Sequence, residues 1–221
     1  MAVDGGGLEI LFEDDAVIGV VKPAGLATAN APRGVPSLFT RLAARRPGRF
    51  LGVVSRLDQP VSGVVVLAHT PAAAADLARQ FRDREVHKTY LAVVEGRFPG
   101  AIGQWVDWVD ELPVPDGSDG DVREARVRAR VIRRAGEVSL VALEPSTGRK
   151  HQLRMQLGLR KCPIVGDRRY GARLPFAAGI ALHAFRLGFS HPETGAVMTL
   201  EAAPPPAWHA RFAPLTPFQS R

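Results

Sequence analysis

Four short stretches set acid, base and hydrogen-bonding side chains within otherwise apolar surroundings. In the first, Ser55-Arg56-Leu57-Asp58-Gln59-Pro60-Val61-Ser62-Gly63, a carboxylate and a guanidinium stand in a turn between two β-branched runs. A carboxylate at the end of a buried strand is poorly solvated and needs a partner. Ionised, it can serve as nucleophile or general base; an aspartate in a turn is as readily a simple cap. The second stretch, His87-Lys88-Thr89-Tyr90-Leu91-Ala92, enters a strand whose alternation puts Lys88, Tyr90 and Ala92 on one face. A lone strand tyrosine is ordinarily a half-buried core residue.

The third stretch runs from Gly148 to Leu157 and carries Arg149, Lys150, His151, Gln152 and Arg154. On a helix, His151 and Arg154 share one face and Leu153 and Leu157 another. The run follows a Thr147-Gly148 turn, so N–H groups and cations are expected at one helix N-terminus, where an anion such as phosphate is favoured. A solvated helix face is the plainer reading of such a charge run. The fourth, Pro163-Ile164-Val165-Gly166-Asp167-Arg168-Arg169-Tyr170-Gly171, sets two arginines beside an aromatic ring. No G-x-S-x-G or H-E-x-x-H signature is present, and Gly5-Gly6-Gly7 lacks the spacing of a dinucleotide loop.

These residues must be held by short elements. Leu8–Phe12 and Ala16–Lys22 read as strands around an acidic turn, with Pro23-Ala24-Gly25 ending the second. Ser37 is an expected N-cap for a helix to about Arg46, and Thr70-Pro71 supplies cap and first-turn proline for an alanine-rich helix to Arg84. Gly52–Leu57, Gly63–Ala68 and His87–Glu95 are strand-like. Pro99 to about Glu124 is rich in Pro, Gly and Asp and is expected to be an exposed loop or irregular insertion. The alternation of Ala125–Arg134, the turn at Gly136 and the run Val138–Leu143 predict a hairpin. A helix over Gln152–Leu159 and a last hairpin, Ala181–Phe189 with Ala196–Ala202, complete the chain. There is no internal repeat and no steady strand–helix rhythm, so the fold class is α+β with a mixed, mainly antiparallel sheet and flanking helices.

Composition narrows the class of function. The 221 residues suit one catalytic-sized domain. Lys+Arg 29 against Asp+Glu 22 gives a net charge of +7, which favours a polyanionic partner. Lysine occurs only at positions 22, 88, 150 and 161, so the basic residues are overwhelmingly arginine, a bias that a GC-rich genome would also produce. One cysteine excludes a disulfide framework and a multi-cysteine metal site. No apolar run approaches a membrane span, and no signal peptide is visible at the N-terminus. A cytoplasmic location is expected, with a monomer as the default and no ligand cluster that would call for a metal or cofactor.

Read together and in order, the stretches resemble the RluA-type pseudouridine synthases. SRLDQPVSGVVVLA is similar to that family's H/G-R-L-D…T-S-G motif, KTYLAVVEG to K-x-Y-x-A-x-V-x-G, GRKHQLRMQL to G-R-T-H-Q-I-R, and PIVGDRRYG to P-I-x-G-D-x-x-Y-G. ILFEDDAVIGVVKPAGLAT and ALHAFRLGFSHPETGAVMTLEAAPP also fit, so the resemblance covers roughly residues 8–206. It implies a single catalytic domain over residues 8–212, with 1–7 and 213–221 as tails and without a separate N-terminal S4 domain. RNA binding is then expected to rest on the catalytic domain itself.

By this resemblance Asp58 matches the catalytic aspartate, Tyr90 the active-site tyrosine, and Arg154 the arginine that pairs with the aspartate. The implied reaction breaks the C1′–N1 bond of a uridine, turns the base and joins C5 to C1′; whether Asp58 is nucleophile or base stays open. A uridine within folded RNA must be flipped out, and Arg56 matches the position that fills the vacated stack. Lys88, Arg149, Lys150, His151, Arg168 and Arg169 are the expected RNA contacts. Ser55, Gln59, Val61 and Lys150 depart from the usual residues and bear on the choice of RNA. A non-catalytic RNA-binding or folding factor on the same fold is the alternative. The intact set Asp58, Tyr90 and Arg154 argues against it.

Overall fold

The computed structural model describes residues 2–3, 7–113 and 122–215. In chain order the elements are β1 (Ala2–Val3), β2 (Glu9–Glu13), β3 (Val17–Lys22), α1 (Leu38–Arg45), β4 (Gly52–Val53), β5 (Ser62–Ala68), α2 (Pro71–Arg82) and β6 (His87–Glu95). They continue as β7 (Trp105–Pro113), β8 (Val122–Ala135), β9 (Val138–Pro145), α3 (Gln152–Leu159), β10 (Leu182–Ser190), β11 (Val197–Glu201) and α4 (Pro206–Phe212). The class is α+β with a mixed sheet: β3 pairs antiparallel with β2 and β5, β6 with β9, and isolated parallel bridges join Ala27 to Ser37 and Ile102 to Val131. The chain forms two compact units: Met1–Lys88 with Ala184–Pro204, and Thr89–His183 with Pro205–Arg221.

In the first unit β5 lies between β3 and β10, and all seven of its residues are buried. Period-2 alternation therefore feeds two cores instead of one core and solvent. Val64, Val66 and Ala68 join Ala73 and Leu77 of α2, whereas Val65 and Leu67 join Leu38 and Leu42 of α1. Both helices begin as their caps require: Ser37 and Thr40 form a reciprocal capping box, and the Thr70 hydroxyl accepts from the Ala73 N–H ahead of Pro71. β10 and β11 form the expected hairpin. Its turn is fixed by His191, whose Nδ1 accepts from Glu193 N and Thr194 N while Nε2 meets Asp14 Oδ2 at 2.8 Å.

The second unit is built on the antiparallel order β6-β9-β8-β7. Along β8, Ala125, Val127, Ala129 and Val131 point inward and arginines point outward, as the alternation predicts. α3 is joined to this sheet by buried glutamines: Gln156 Nε2 donates to Asp110 Oδ2 at 2.8 Å and Gln152 Nε2 to the Arg126 carbonyl at 3.0 Å. Trp208 of α4 is fully buried, edge-on to His183.

Three expectations are revised. Pro99–Glu124 is not simply a loop: Trp105–Pro113 is a nine-residue strand paired with β8 along its length, while 114–121 lie outside the described residues. Only Gly52–Val53 of the run to Leu57 joins the sheet, because Thr28 takes over at its end; the hydroxyl donates to the Leu57 carbonyl at 2.9 Å and accepts its N–H at 3.1 Å. α2 stops at Arg82, since Arg84 turns left-handed (φ 63°) and Glu85 N–H returns to the Gln80 carbonyl. Of the stretches expected as tails, Ala2–Val3 pair with β2, and Ala213–Leu215 form a 3₁₀ turn with Leu215 buried.

Candidate active site

Asp58 sits in the first unit, in the segment that leads from β4 into β5. It is half-buried, and its carbonyl accepts the Val61 N–H at 3.0 Å, closing a turn on Pro60. The backbone on either side is fixed. Leu57 is held by Thr28, as above; Gln59 exchanges two hydrogen bonds with Gly25, N–H of Gly25 to its carbonyl at 2.8 Å and its Nε2 to the Gly25 carbonyl at 3.0 Å. Gln59, a departure from the usual arginine, thus has a local structural task.

Lys22 completes this arrangement and was not expected at a site. It is fully buried at the end of β3, and its Nζ donates to the carbonyls of Leu26 (2.7 Å), Pro23 (2.9 Å) and Gln59 (3.3 Å). Burial pushes its ammonium down to about 8, while the charge of Asp58 acts in the opposite direction. A buried cation is tolerated here because three carbonyl dipoles and a carboxylate surround it. The signal in the sequence was slight: one of only four lysines, ending an apolar strand directly before a Pro-Ala-Gly turn.

After Asp58 the chain enters β5 at Gly63, whose φ is 122°. A Cβ there would lie 2.3 Å from the Ala184 carbonyl oxygen, so only glycine lets β10 come this close. Arg56 is exposed on the same segment.

Tyr90, Arg154 and His151 belong to the second unit. Tyr90 is half-buried on β6, opposite Leu143 of β9. Arg154, 7% exposed on α3, donates to Asp167 through Nε to Oδ2 (2.7 Å) and Nη2 to Oδ1 (2.9 Å). This is a two-pronged, charge-assisted pair between buried groups. Its guanidinium also lies over the Tyr170 ring, 5.0 Å from the centroid, and the Tyr170 hydroxyl meets His151 Nδ1 at 2.7 Å. The face predicted to carry His151 and Arg154 therefore converges on one tyrosine. Asp167 and Tyr170 come from the fourth stretch, in which only the arginines had been singled out.

The expected RNA contacts divide by environment. Arg149, Lys150, Arg168 and Arg169 are exposed, with Arg169 beside Tyr170. Lys88 is half-buried, and burial followed by the nearby Arg84 lowers its pKa. The α3 N-terminus differs from expectation: the Gln152 side chain accepts the Arg149 N–H at 3.1 Å and the Thr147 hydroxyl at 2.7 Å, so that N–H is already occupied. His151 enters the helix in a left-handed conformation (φ 56°). Among the described residues no group of three or more His, Cys, Asp or Glu could hold a metal ion, and no helix is long and apolar enough to cross a membrane.

Comparison with known proteins adds to this geometry. The family described as RNA pseudouridylate synthase matches residues 16–158. Ribosomal large subunit pseudouridine synthase C of Escherichia coli O6:H1 is 34% identical over 87% of this chain, which spans 65% of that protein's length. tRNA pseudouridine synthase C of Yersinia pestis is 32% identical over 88% of this chain and 86% of its own. The dual-specificity RNA pseudouridine synthase RluA of Vibrio vulnificus is 33% identical over 84% and 79%. Among solved structures, human RNA pseudouridylate synthase domain containing 4 covers 91% of this chain and 92% of its own at 25% identity and TM-score 0.71.

Proposed function

The chain belongs to the RNA pseudouridylate synthase family, in its RluA-type branch, and from that premise we propose that it isomerises uridine to pseudouridine in ribosomal or transfer RNA. What carries the reading is that the family match contains Asp58, Tyr90 and Arg154 in a single run. The catalytic portion is taken as residues 8–212, acting as a cytoplasmic monomer.

The proposed reaction conserves composition. The C1′–N1 bond breaks, the uracil turns, C5 bonds to C1′, the C5 proton leaves to a base and N1 ends with a proton. Asp58 is the group that meets the sugar, as nucleophile or as base. The hydrogen bonds to Leu57 and Gln59 support this role, because they fix the backbone that presents its carboxylate. Tyr90 stacks on the detached base. Arg154, preoriented by Asp167, is the arginine that the family resemblance pairs with Asp58, and Arg56 fills the place of the flipped uridine. Arg149, Lys150, Arg168 and Arg169 meet phosphate, and Lys88 and His151 complete the RNA contacts. The steps use side chains alone.

Incubating the protein with ribosomal and transfer RNA transcripts and mapping pseudouridine chemically tests the reading. New pseudouridine with the native chain and none with Asp58→Asn is the expected result. Pseudouridine made by Asp58→Asn removes Asp58 from the chemistry. None made by the native chain on any RNA, with binding retained, favours a non-catalytic RNA-binding factor.

A further inference from the structure

The positive charge of this protein is not spread along the chain. Residues 16–57 hold seven basic residues and no carboxylate, whereas the other 179 residues hold 22 basic and 22 acidic, so the whole net charge of +7 belongs to this one run. A compositional drift toward arginine would not empty 42 consecutive residues of acid while leaving the remainder balanced. Lys22 is the buried member; the other six are Arg33, Arg41, Arg45, Arg46, Arg49 and Arg56.

The fold gathers these residues around α1. Leu38 and Leu42 fix the helix to the core and leave Arg41 and Arg45 one turn apart on a shared stripe. The helix is followed by a turn in which Arg49 N–H returns to the Arg46 carbonyl at 3.1 Å, and β4 then leads within nine residues of Arg49 to Asp58. Arg33, Arg41, Arg49 and Arg56 are exposed, and among the described residues none is paired with a carboxylate; Arg45 meets Glu13 at 3.1 Å. Phe50 is 45% exposed beside Arg49, and Val35 is 50% exposed beside Gly34. Unneutralised arginines with an exposed ring among them suit a nucleic-acid backbone with unpaired bases.

We propose that α1 and the turn Arg46–Phe50 form a phosphate-tracking surface that engages substrate RNA flanking the target uridine, with Arg33, Arg41 and Arg49 as its unpaired contacts. This rests on the RNA-modifying reading above and assigns residues that lie outside the four motif stretches. A membrane or protein partner would use the same charge but not the same chemistry, so the test separates them.

The test compares the native chain with Arg33→Gln/Arg41→Gln/Arg49→Gln and with a control, Arg82→Gln/Arg186→Gln, that removes exposed arginines elsewhere. Binding of a fluorescein-labelled, unmodified transfer RNA transcript and, separately, of anionic phosphatidylserine vesicles is measured across salt concentrations, with single-turnover rates at saturating RNA. Losing three phosphate contacts should flatten the log–log salt slope by about 2–3 and weaken binding at least tenfold at low salt, with the control unchanged. The same slope in the triple variant, an equal loss in the control, or loss confined to anionic phosphatidylserine vesicles or a protein partner overturns the surface. A flattened slope in the triple variant, from a protein whose native chain makes no pseudouridine, leaves the surface standing and sinks the enzymatic reading instead.

Discussion

Arg154 and Asp167, thirteen positions apart in the chain, form a buried two-pronged ion pair, Nε to Oδ2 at 2.7 Å and Nη2 to Oδ1 at 2.9 Å. The carboxylate is 2% exposed, so neutralising it takes a charge-assisted, two-pronged partner away from a buried guanidinium. Asp167→Asn should cost about 3–5 kcal/mol in urea denaturation. If the pair orients Arg154 for the reaction, the single-turnover rate should fall by about 100-fold, since small misplacements at a reacting centre are that expensive. A variant with native rate and lowered stability would confine the pair to a structural role.

Lys22 makes a prediction about pH. Its folded-state pKa is depressed to about 8 from an ordinary value of 10.5. Between those values the unfolded chain binds a proton that the folded chain has lost, so this group makes stability rise with pH across that window. Below pH 8 both states are protonated and the penalty for a buried cation is constant; the full recovery is about 3 kcal/mol. Lys22→Met abolishes the contribution. The difference in unfolding free energy between native and variant, measured at pH 7 and pH 10, should therefore shift in favour of the native chain at the higher pH. An unchanged difference would mean that Lys22 titrates normally.

Gly63→Ala should be among the most damaging single changes. The new methyl meets the Ala184 carbonyl oxygen at 2.3 Å, and the backbone stands at a φ that L-residues rarely adopt. Strain and overpacking together set the cost at about 3 kcal/mol or more. Thermal unfolding checks it, and because Gly63 follows Asp58 by five residues, activity should fall with it.

Arg149 and Lys150 are exposed, and Arg149 is already steadied by Nε donation to the Glu124 carbonyl at 3.2 Å. Replacing either with alanine should weaken RNA binding for every sequence tested and reduce the salt slope by about one. Salt titrations of each single variant read this directly; a native slope would remove that residue from the phosphate contacts.

Local chemistry wrote much of this fold into the sequence. Ser37 and Thr70 mark their helices, the alternation of Val127, Ala129 and Val131 marks β8, and the His191–Gly195 turn marks the last hairpin. β7 was hidden because the Pro, Gly and Asp content after Pro113 masked a strand whose acids face outward at Asp107 and Glu111, while Asp110 is held by Gln156 and Arg160. Asp58, Tyr90 and Arg154 stood out by motif. The groups that support them did not, because their partners are distant in sequence: Gln59 lies 37 residues from Lys22, and Tyr170 lies 19 from His151. Such relationships exist only once turns from different stretches converge.

The way the chain is divided has a consequence for dissecting it. The first unit is discontinuous: it leaves off at Lys88 and resumes at Ala184, supplying β5 with its neighbour β10 only from the later piece. A fragment that stops at residue 88 would leave β5 with an unpaired edge and Gly63 without the strand it was shaped to admit. Yet His87 lies within 3.5 Å of where a Cβ on Gly188 would stand, so the two pieces of that unit run side by side at this junction. Excising residues 89–183 and bridging the gap with a short turn is thus the rational route to a minimal scaffold, whereas simple truncation is not.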